Sequence, residues 1–404
     1  MVKNNIGFFC TKIPSVPPFT NTDGHDVGGA GESLIDLVCN LSNKKYKKYI
    51  FTIGTANQIQ KESPKPNMEL IRYPPSLKIF KKIFSTGENL FSTKFITLPR
   101  KKELDIIHCQ LGQPLADVSS LFYKKFSSDI PIVLSIRGVP RVEWGGVLRR
   151  SSMKLYIKTV YEPILKKSDK IVIQSQGVLE EDSRVQEFKS KVNIVPNGVD
   201  FKTFSKFCNI NNHNSKYTRK EQDCDKVLLF VGSLVERKGI PTLISSYEKV
   251  LHKYPSTKLI IVGKGPMENY IIDRSKKGDY SDKLNFEGFV SNPEKLAKIY
   301  SSADFFILPS LAEGFPRVIL ESMAAGTPCL VSDIGANFHA VGKGRYGLVA
   351  EVKNADDFAK KIMDYFEMDE KKKMQLRKDG FEYAKNHSWE NVAREMEEIY
   401  EKLL

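Results

Sequence analysis

The chain has 404 residues, 41% of them hydrophobic and 27% charged, with a formal net charge of +14. The length favours two domains, and the composition is ordinary for a soluble globular protein. No apolar run approaches the roughly 18 residues of a membrane span, and six cysteines scattered at 10, 39, 109, 208, 224 and 329 form no C-x-x-C pair, which argues against a disulfide framework or a zinc site.

Ile6 to Cys10 is an apolar strand-like run too short for a signal peptide, so a cytoplasmic location is expected. Next comes Asp26-Val-Gly-Gly-Ala-Gly-Glu32, in which Gly28 and Gly29 allow close backbone approach or positive φ before a helical run. The spacing is not G-x-G-x-x-G and no Walker loop is present, which speaks against NAD and ATP. Further short apolar runs lie at 49–53, 105–109, 132–136 and 170–173. Between the first two, Ser76 to Ser85 places Leu77, Phe80, Ile83 and Phe84 on one helical face with lysines elsewhere. Such a stripe suits packing on a core, or lying on an anionic membrane. Residues 1–200 carry 30 Lys and Arg against 19 Asp and Glu, so most of the positive excess lies there. That charge suits an anionic partner, and equally a Lys-rich solvated surface.

The Asn-rich stretch from Asn209 reads as a linker, placing a first domain at 1–205, a linker at 206–225 and a second domain at 226–385. Within the linker, Asp223-Cys-Asp225 looks like a D-x-D metal motif but follows no strand, so coincidence is the reading adopted. A second strand series then runs through 227–231, 259–262, 305–308 and 329–331. Continuous runs of this length suit strands buried on both faces, hence parallel sheets with helices between them. The segment Pro241 to Lys253 has apolar positions 243, 244, 247, 250 and 251 on one face. The expected architecture is two doubly wound α/β domains facing across a cleft, with ligands beyond the carboxyl ends of the strands. A last helix, 386–404, with a stripe at 389, 392, 396, 399, 400 and 403, must bury that stripe against something.

Three loops in the second half carry candidate chemistry. After 227–231, Arg237 and Lys238 precede Gly239 and a helix, where cations suit a diphosphate leaving group. After 259–262, Gly263 supplies a turn where backbone can approach a nucleotide. After 305–308 comes a tight turn with Glu313, Gly314 and Phe315, then a helix carrying Glu321, with Pro316 in its first turn and Gly326 as its stop. Carboxylates suit sugar and ribose hydroxyls, and helix amides suit an anion. On spacing alone, Glu313 is equally a turn residue and Glu321 a solvated helix glutamate.

Taken together, Gly28-Gly29-Ala-Gly-Glu, Ile194-Val-Pro-Asn-Gly-Val-Asp200, Val231-Gly-Ser-Leu with Arg-Lys-Gly239, Gly263-Lys-Gly-Pro266, Glu287-Gly-Phe-Val290 and Glu313-Gly-Phe-Pro through Glu321-Ser-Met-Ala-Ala-Gly-Thr-Pro328 resemble retaining glycosyltransferases of family 4, with the GT-B fold of two Rossmann-like domains. The resemblance spans nearly the whole chain and is strongest in the second half. It implies that Glu313 touches donor-sugar hydroxyls, Glu321 holds the nucleotide ribose, and Lys238 binds the diphosphate. The amides of Gly314 and Phe315 would face donor sugar or phosphate, and Gly28 and Gly29 would lie near diphosphate and acceptor. The last helix would return to the first domain. The implied partners are a nucleotide-sugar donor and a glycan or lipid-linked acceptor, with peripheral contact to an anionic membrane. No metal, other cofactor or nucleic acid is expected.

The pattern is departed from in three places. Many members have Gly-Arg where this chain has Gly232-Ser233, so Arg237 is the substitute cation. A Thr-x-His-Gly segment becomes Ser135-Ile-Arg137-Gly138, leaving Arg137 to face the donor. A Gly-Gly-x-x-Glu segment becomes Gly335-Ala-Asn-Phe-His339. A sugar-nucleotide epimerase, a glycan phosphorylase and a non-catalytic sugar-nucleotide binder are the rival functions.

Overall fold

A computed structural model describes residues 3–10, 29–54, 58–74, 103–111, 118–121, 129–140, 147–208, 226–276 and 282–404. The chain divides into two compact units: residues 1–196 with 389–404, and residues 197–388.

The first unit holds β1 (Asn4–Phe9), β2 (Tyr46–Ile53), β3 (Gln60–Glu62), β4 (Met68–Tyr73), β5 (Ile106–Leu111), β6 (Ile132–Ile136), β7 (Lys170–Ile173) and β8 (Val192–Ile194). They form one sheet in the order β3-β4-β2-β1-β5-β6-β7-β8. Every residue of β5 and β6 is buried, and their sequences are mostly apolar without strict alternation, as strands covered on both faces require. The expectation of a parallel sheet holds for these pairs except at one edge, where β3 runs antiparallel to β4. β3 is three polar residues joined to β4 by a short turn with Asn67 at φ 59°. A hairpin permits antiparallel pairing without the long crossover a parallel strand needs.

The helix Trp389–Glu401 belongs to this unit. Its stripe Trp389, Val392, Met396, Ile399 and Tyr400 packs with Leu34, Leu37 and Val38 of the helix Gly29–Asn40 and with residues of β1 and β2. The Tyr400 hydroxyl meets Nδ1 of His108, on β5, at 2.6 Å. Glu397 accepts from the Ser42 amide at 2.7 Å and from Lys45 Nζ at 3.2 Å.

The second unit holds β9 (Lys226–Val231), β10 (Thr257–Val262), β11 (Leu284–Gly288), β12 (Phe305–Leu308), β13 (Cys329–Ser332) and β14 (Leu348–Ala350) in the order β11-β10-β9-β12-β13-β14, all parallel. The helix Ile240–Lys253 buries Leu243, Ile244, Tyr247 and Val250 against this sheet. The unit opens earlier than the boundary read at 205. Residues 197–205 belong to it, and Phe204 packs edge-on against Tyr300 at 5.8 Å. Most of the expected linker, 209–225 with Asp223 and Asp225, lies outside the described residues.

Strand order decides where a ligand belongs. From β9 the chain steps outward to β10 and β11, then returns to the other side of β9 with β12 and steps outward the opposite way. The reversal between β9 and β12 opens a crevice at their carboxyl ends, the topological switch point of an open α/β sheet.

Candidate functional site

The loops leaving β9 and β12 meet at that switch point. The first passes through a 3₁₀ turn, Glu236–Lys238, to Gly239, which has φ 69° and opens the helix Ile240–Lys253. A Cβ on Gly239 would sit 2.0 Å from the Pro309 carbonyl oxygen, so only glycine lets the loops approach this closely. The Leu311 amide donates to the Arg237 carbonyl at 2.7 Å and closes the junction. The neighbours Arg237 and Lys238 are thereby brought to Glu313, 76 and 75 positions further along the chain.

Lys238 Nζ lies 2.5 Å from Glu313 Oε1, with both side chains under a tenth exposed (8% and 7%). Arg237 donates to Glu313 Oε2 at 3.3 Å and to the Ala312 carbonyl at 3.2 Å, while its side chain stays 42% exposed. The Ser310 hydroxyl donates to Glu313 Oε1 at 2.7 Å. Burial by itself would raise the Glu313 carboxyl, but Lys238, Arg237 and these hydrogen bonds outweigh it and hold the group below its ordinary value. The site therefore contains a carboxylate kept ionised in a buried setting, with two cations beside it.

Glu321 lies on the helix Arg317–Ala324 and is buried. Tyr300 donates to its Oε2 at 3.1 Å, and Arg317 Nε lies 4.0 Å from Oε1. Burial, with the facing Glu321 carboxylate, pushes the Tyr300 phenol well above its ordinary value, so Tyr300 remains a donor. Glu321 is thus not the solvated helix residue that spacing alone allowed. Pro316 stands just before the helix at its N-cap, one place outside the expected first turn. Gly326, at φ 76°, ends the helix as expected. The carbonyl of Phe315 is held by Asn197 Nδ2 at 2.8 Å.

The close approach that Gly263 makes is to protein. At φ 149° its added Cβ would lie 1.9 Å from the Gly232 carbonyl oxygen, so this glycine packs the loop after β10 against the loop after β9. In the first unit, Gly29 is the first residue of the helix Gly29–Asn40 and Arg137 directly follows β6. Gly28 lies outside the described residues, as does the amphipathic stretch 76–85.

Residues 27–203 match the family model for Glycosyltransferase Family 4, and residues 213–399 match that for Glycosyl transferases group 1. An uncharacterized glycosyltransferase of Methanocaldococcus jannaschii is 31% identical over 307 residues, spanning 73% of this chain and 75% of its own. The chain is a group 1 glycosyltransferase of family 4. An alpha-monoglucosyldiacylglycerol synthase of Streptococcus pneumoniae is 24% identical over 326 residues, covering 77% of this chain and 69% of its own. A solved E. coli trehalose-6-phosphate structure bound with UDP-2-fluoro glucose superposes with a TM-score of 0.74 at 14% identity, over 99% of both chains. That likeness shows the GT-B fold.

In this glycosyltransferase Ser233 stands at the place where many members carry arginine, and Arg237, four residues on, joins Lys238 on Glu313. At the Gly335 to His339 segment, the buried polar residue is Asn337, while His339 is half-buried. Three residues of the site went unread in the sequence: Ser310, Tyr300 and Asn197. Asn197 had a signal, since it lies within the quoted Pro-Asn-Gly segment. Ser310 had only its position three residues before Glu313. Tyr300 had none, because nothing in a helix ending at Ser302 announces a partner on another helix.

Proposed function

We propose that this glycosyltransferase moves a hexosyl-type unit, with retained anomeric configuration, from a nucleoside diphosphate sugar to a glycan or lipid-linked acceptor in cell-surface polysaccharide or glycoconjugate synthesis. The observation that carries the reading is the buried Glu313 carboxylate flanked by Lys238 and Arg237 at the switch point of the second sheet. Glu313 would accept from donor-sugar hydroxyls and Glu321 from the ribose. Lys238 has further N–H groups beyond the one on Glu313, and with Arg237 would neutralise charge on the departing diphosphate. The amides of Gly314 and Phe315 would add to this, with Gly28, Gly29, Gly263 and Arg137 as further donor-side residues. Catalysis in this scheme rests on positioning and leaving-group stabilisation. The leaving phosphate takes the acceptor proton, and no metal is required.

Two things support an acceptor with a lipid or anionic component: the positive excess of residues 1–200 and the similarity to the pneumococcal synthase. Peripheral contact with the cytoplasmic face of a membrane fits that reading. No helix among the described residues is long and apolar enough to cross one.

The test begins with a thermal-shift screen of nucleotide sugars, which needs no acceptor because a bound donor raises the melting point. Transfer from the selected donor is then measured for Glu313→Ala and Lys238→Ala. Losses of about a hundredfold or more are expected for groups that act on developing charge. Turnover at the wild-type rate in both variants would refute the site.

A further inference from the structure

We propose that Ser310 is a positioning residue that turns the Glu313 carboxylate so that Oε2 is the oxygen presented to the donor sugar. The inference rests on the reading of Glu313 as the sugar-binding carboxylate.

The two oxygens of Glu313 are not equivalent. Oε1 accepts from both Lys238 Nζ (2.5 Å) and the Ser310 hydroxyl (2.7 Å), which occupies its two in-plane lone pairs. Oε2 accepts from Arg237 at 3.3 Å, a long bond from a side chain that is 42% exposed. A sugar hydroxyl can therefore join Oε2 without displacing a buried partner, whereas at Oε1 it would compete with two.

Ser310 is held in turn. It is fully buried, and its carbonyl accepts from the Ser332 hydroxyl, at the end of β13. Ser332 has one proton and commits it there, so its oxygen is the acceptor for Asn337 Nδ2 at 3.0 Å. Asn337, on the helix Gly335–Ala340, is itself fully buried. The chain of donors runs one way, from Asn337 through Ser332 to the Ser310 peptide, and the Ser310 side chain then donates to Glu313. The segment that departs from the family pattern thus braces the donor carboxylate through Asn337.

Isothermal titration of matched pairs tests this: UDP-glucose with UDP, GDP-mannose with GDP, and ADP-glucose with ADP. The proteins are wild type, Ser310→Ala, Ser310→Thr and Glu313→Gln. For the pair that wild type binds, Ser310→Ala is expected to weaken the nucleotide sugar about five- to tenfold. The bare nucleoside diphosphate should stay within about twofold, which also reports that the variant is folded. Ser310→Thr, which keeps the hydroxyl, should recover the sugar affinity. If Ser310→Ala binds both ligands as wild type does while Glu313→Gln loses the sugar preference, the role of Ser310 is wrong and the donor site stands. If Glu313→Gln also leaves both affinities unchanged, the donor site itself falls and the inference with it.

Discussion

Replacing Lys238 by methionine keeps the aliphatic stem and removes the charge that faces Glu313 across 2.5 Å. Glu313 then retains the Ser310 hydroxyl and the more exposed Arg237 at 3.3 Å. Breaking a buried ion pair from one side costs about 3–5 kcal/mol, and these remaining partners place the cost near the lower end, about 3 kcal/mol. For a unit of this size that corresponds to a fall of about 6–12 °C in melting temperature. The pH dependence has a definite sign. In the wild type the folded Glu313 carboxyl lies below its ordinary 4.5, so its contribution is present above that pH and is lost as pH falls through the folded value. In the variant the largest cation influence is gone and burial pushes the carboxyl up, so protonation relieves the unpaired charge as pH falls. The gap between the two proteins should therefore be widest at about pH 7–8 and narrow toward about pH 5. Glu313→Gln in the Lys238→Met background should restore most of the loss. Thermal unfolding of the four proteins followed by circular dichroism, at several pH values, closes a double-mutant cycle. A coupling near zero, with a gap that does not change with pH, would refute the buried pair.

Three further outcomes are expected. Gly239→Ala forces a positive φ on alanine and drives its Cβ to 2.0 Å from the Pro309 oxygen, so a loss above about 2 kcal/mol is expected, read as a clear drop in melting temperature. His108 is buried, and that burial, with the Arg137 charge adding, pulls its imidazole down to about 3 from 6.5. Its contribution to stability is present above pH 6.5 and declines at up to about 1.4 kcal/mol per pH unit from there toward about pH 3. His108→Phe should flatten the slope of stability against pH between about 6.5 and 4, and identical slopes would show that His108 does not titrate this way. For the acceptor side, flotation with liposomes containing anionic lipid should carry the protein to the top fraction, with weaker binding to neutral liposomes; no binding to either would remove the membrane contact from the proposal.

Much of the fold was legible because buried parallel strands impose a simple demand on sequence. Each run read as a strand, from Ile6 to Cys10 through Cys329 to Val331, contributes to an observed strand. The elements that escaped are short or mixed in polarity: β3 with three exposed or half-buried polar residues, β4, whose Glu69 and Arg72 interrupt its apolar residues, β8 and β11, which are partly buried and interrupted by polar residues, and β14, which is only three residues long. The stripe of the last helix was legible too, because a face spaced at three and four residues has to be covered. The sequence also named Lys238, Glu313 and Glu321 as chemistry-bearing residues, through their place after strands and their resemblance to a family.

The sequence by itself therefore determined the α/β class, the run of strands and helices, and the identity of the charged groups. These are local properties, set by periodicity, by strand-end turns and by residue type. What Glu313 is bonded to was decided by the tertiary structure alone. The loops after β9 and β12 are brought together by strand order and by the missing side chain at Gly239, so the Lys238 pair, the Ser310 and Ser332 bonds and the Tyr300 donor to Glu321 depend on through-space contact. The same reason explains Gly263. A glycine after a strand marks a close approach in any sequence, but only the packed loops reveal that the neighbour is the Gly232 carbonyl.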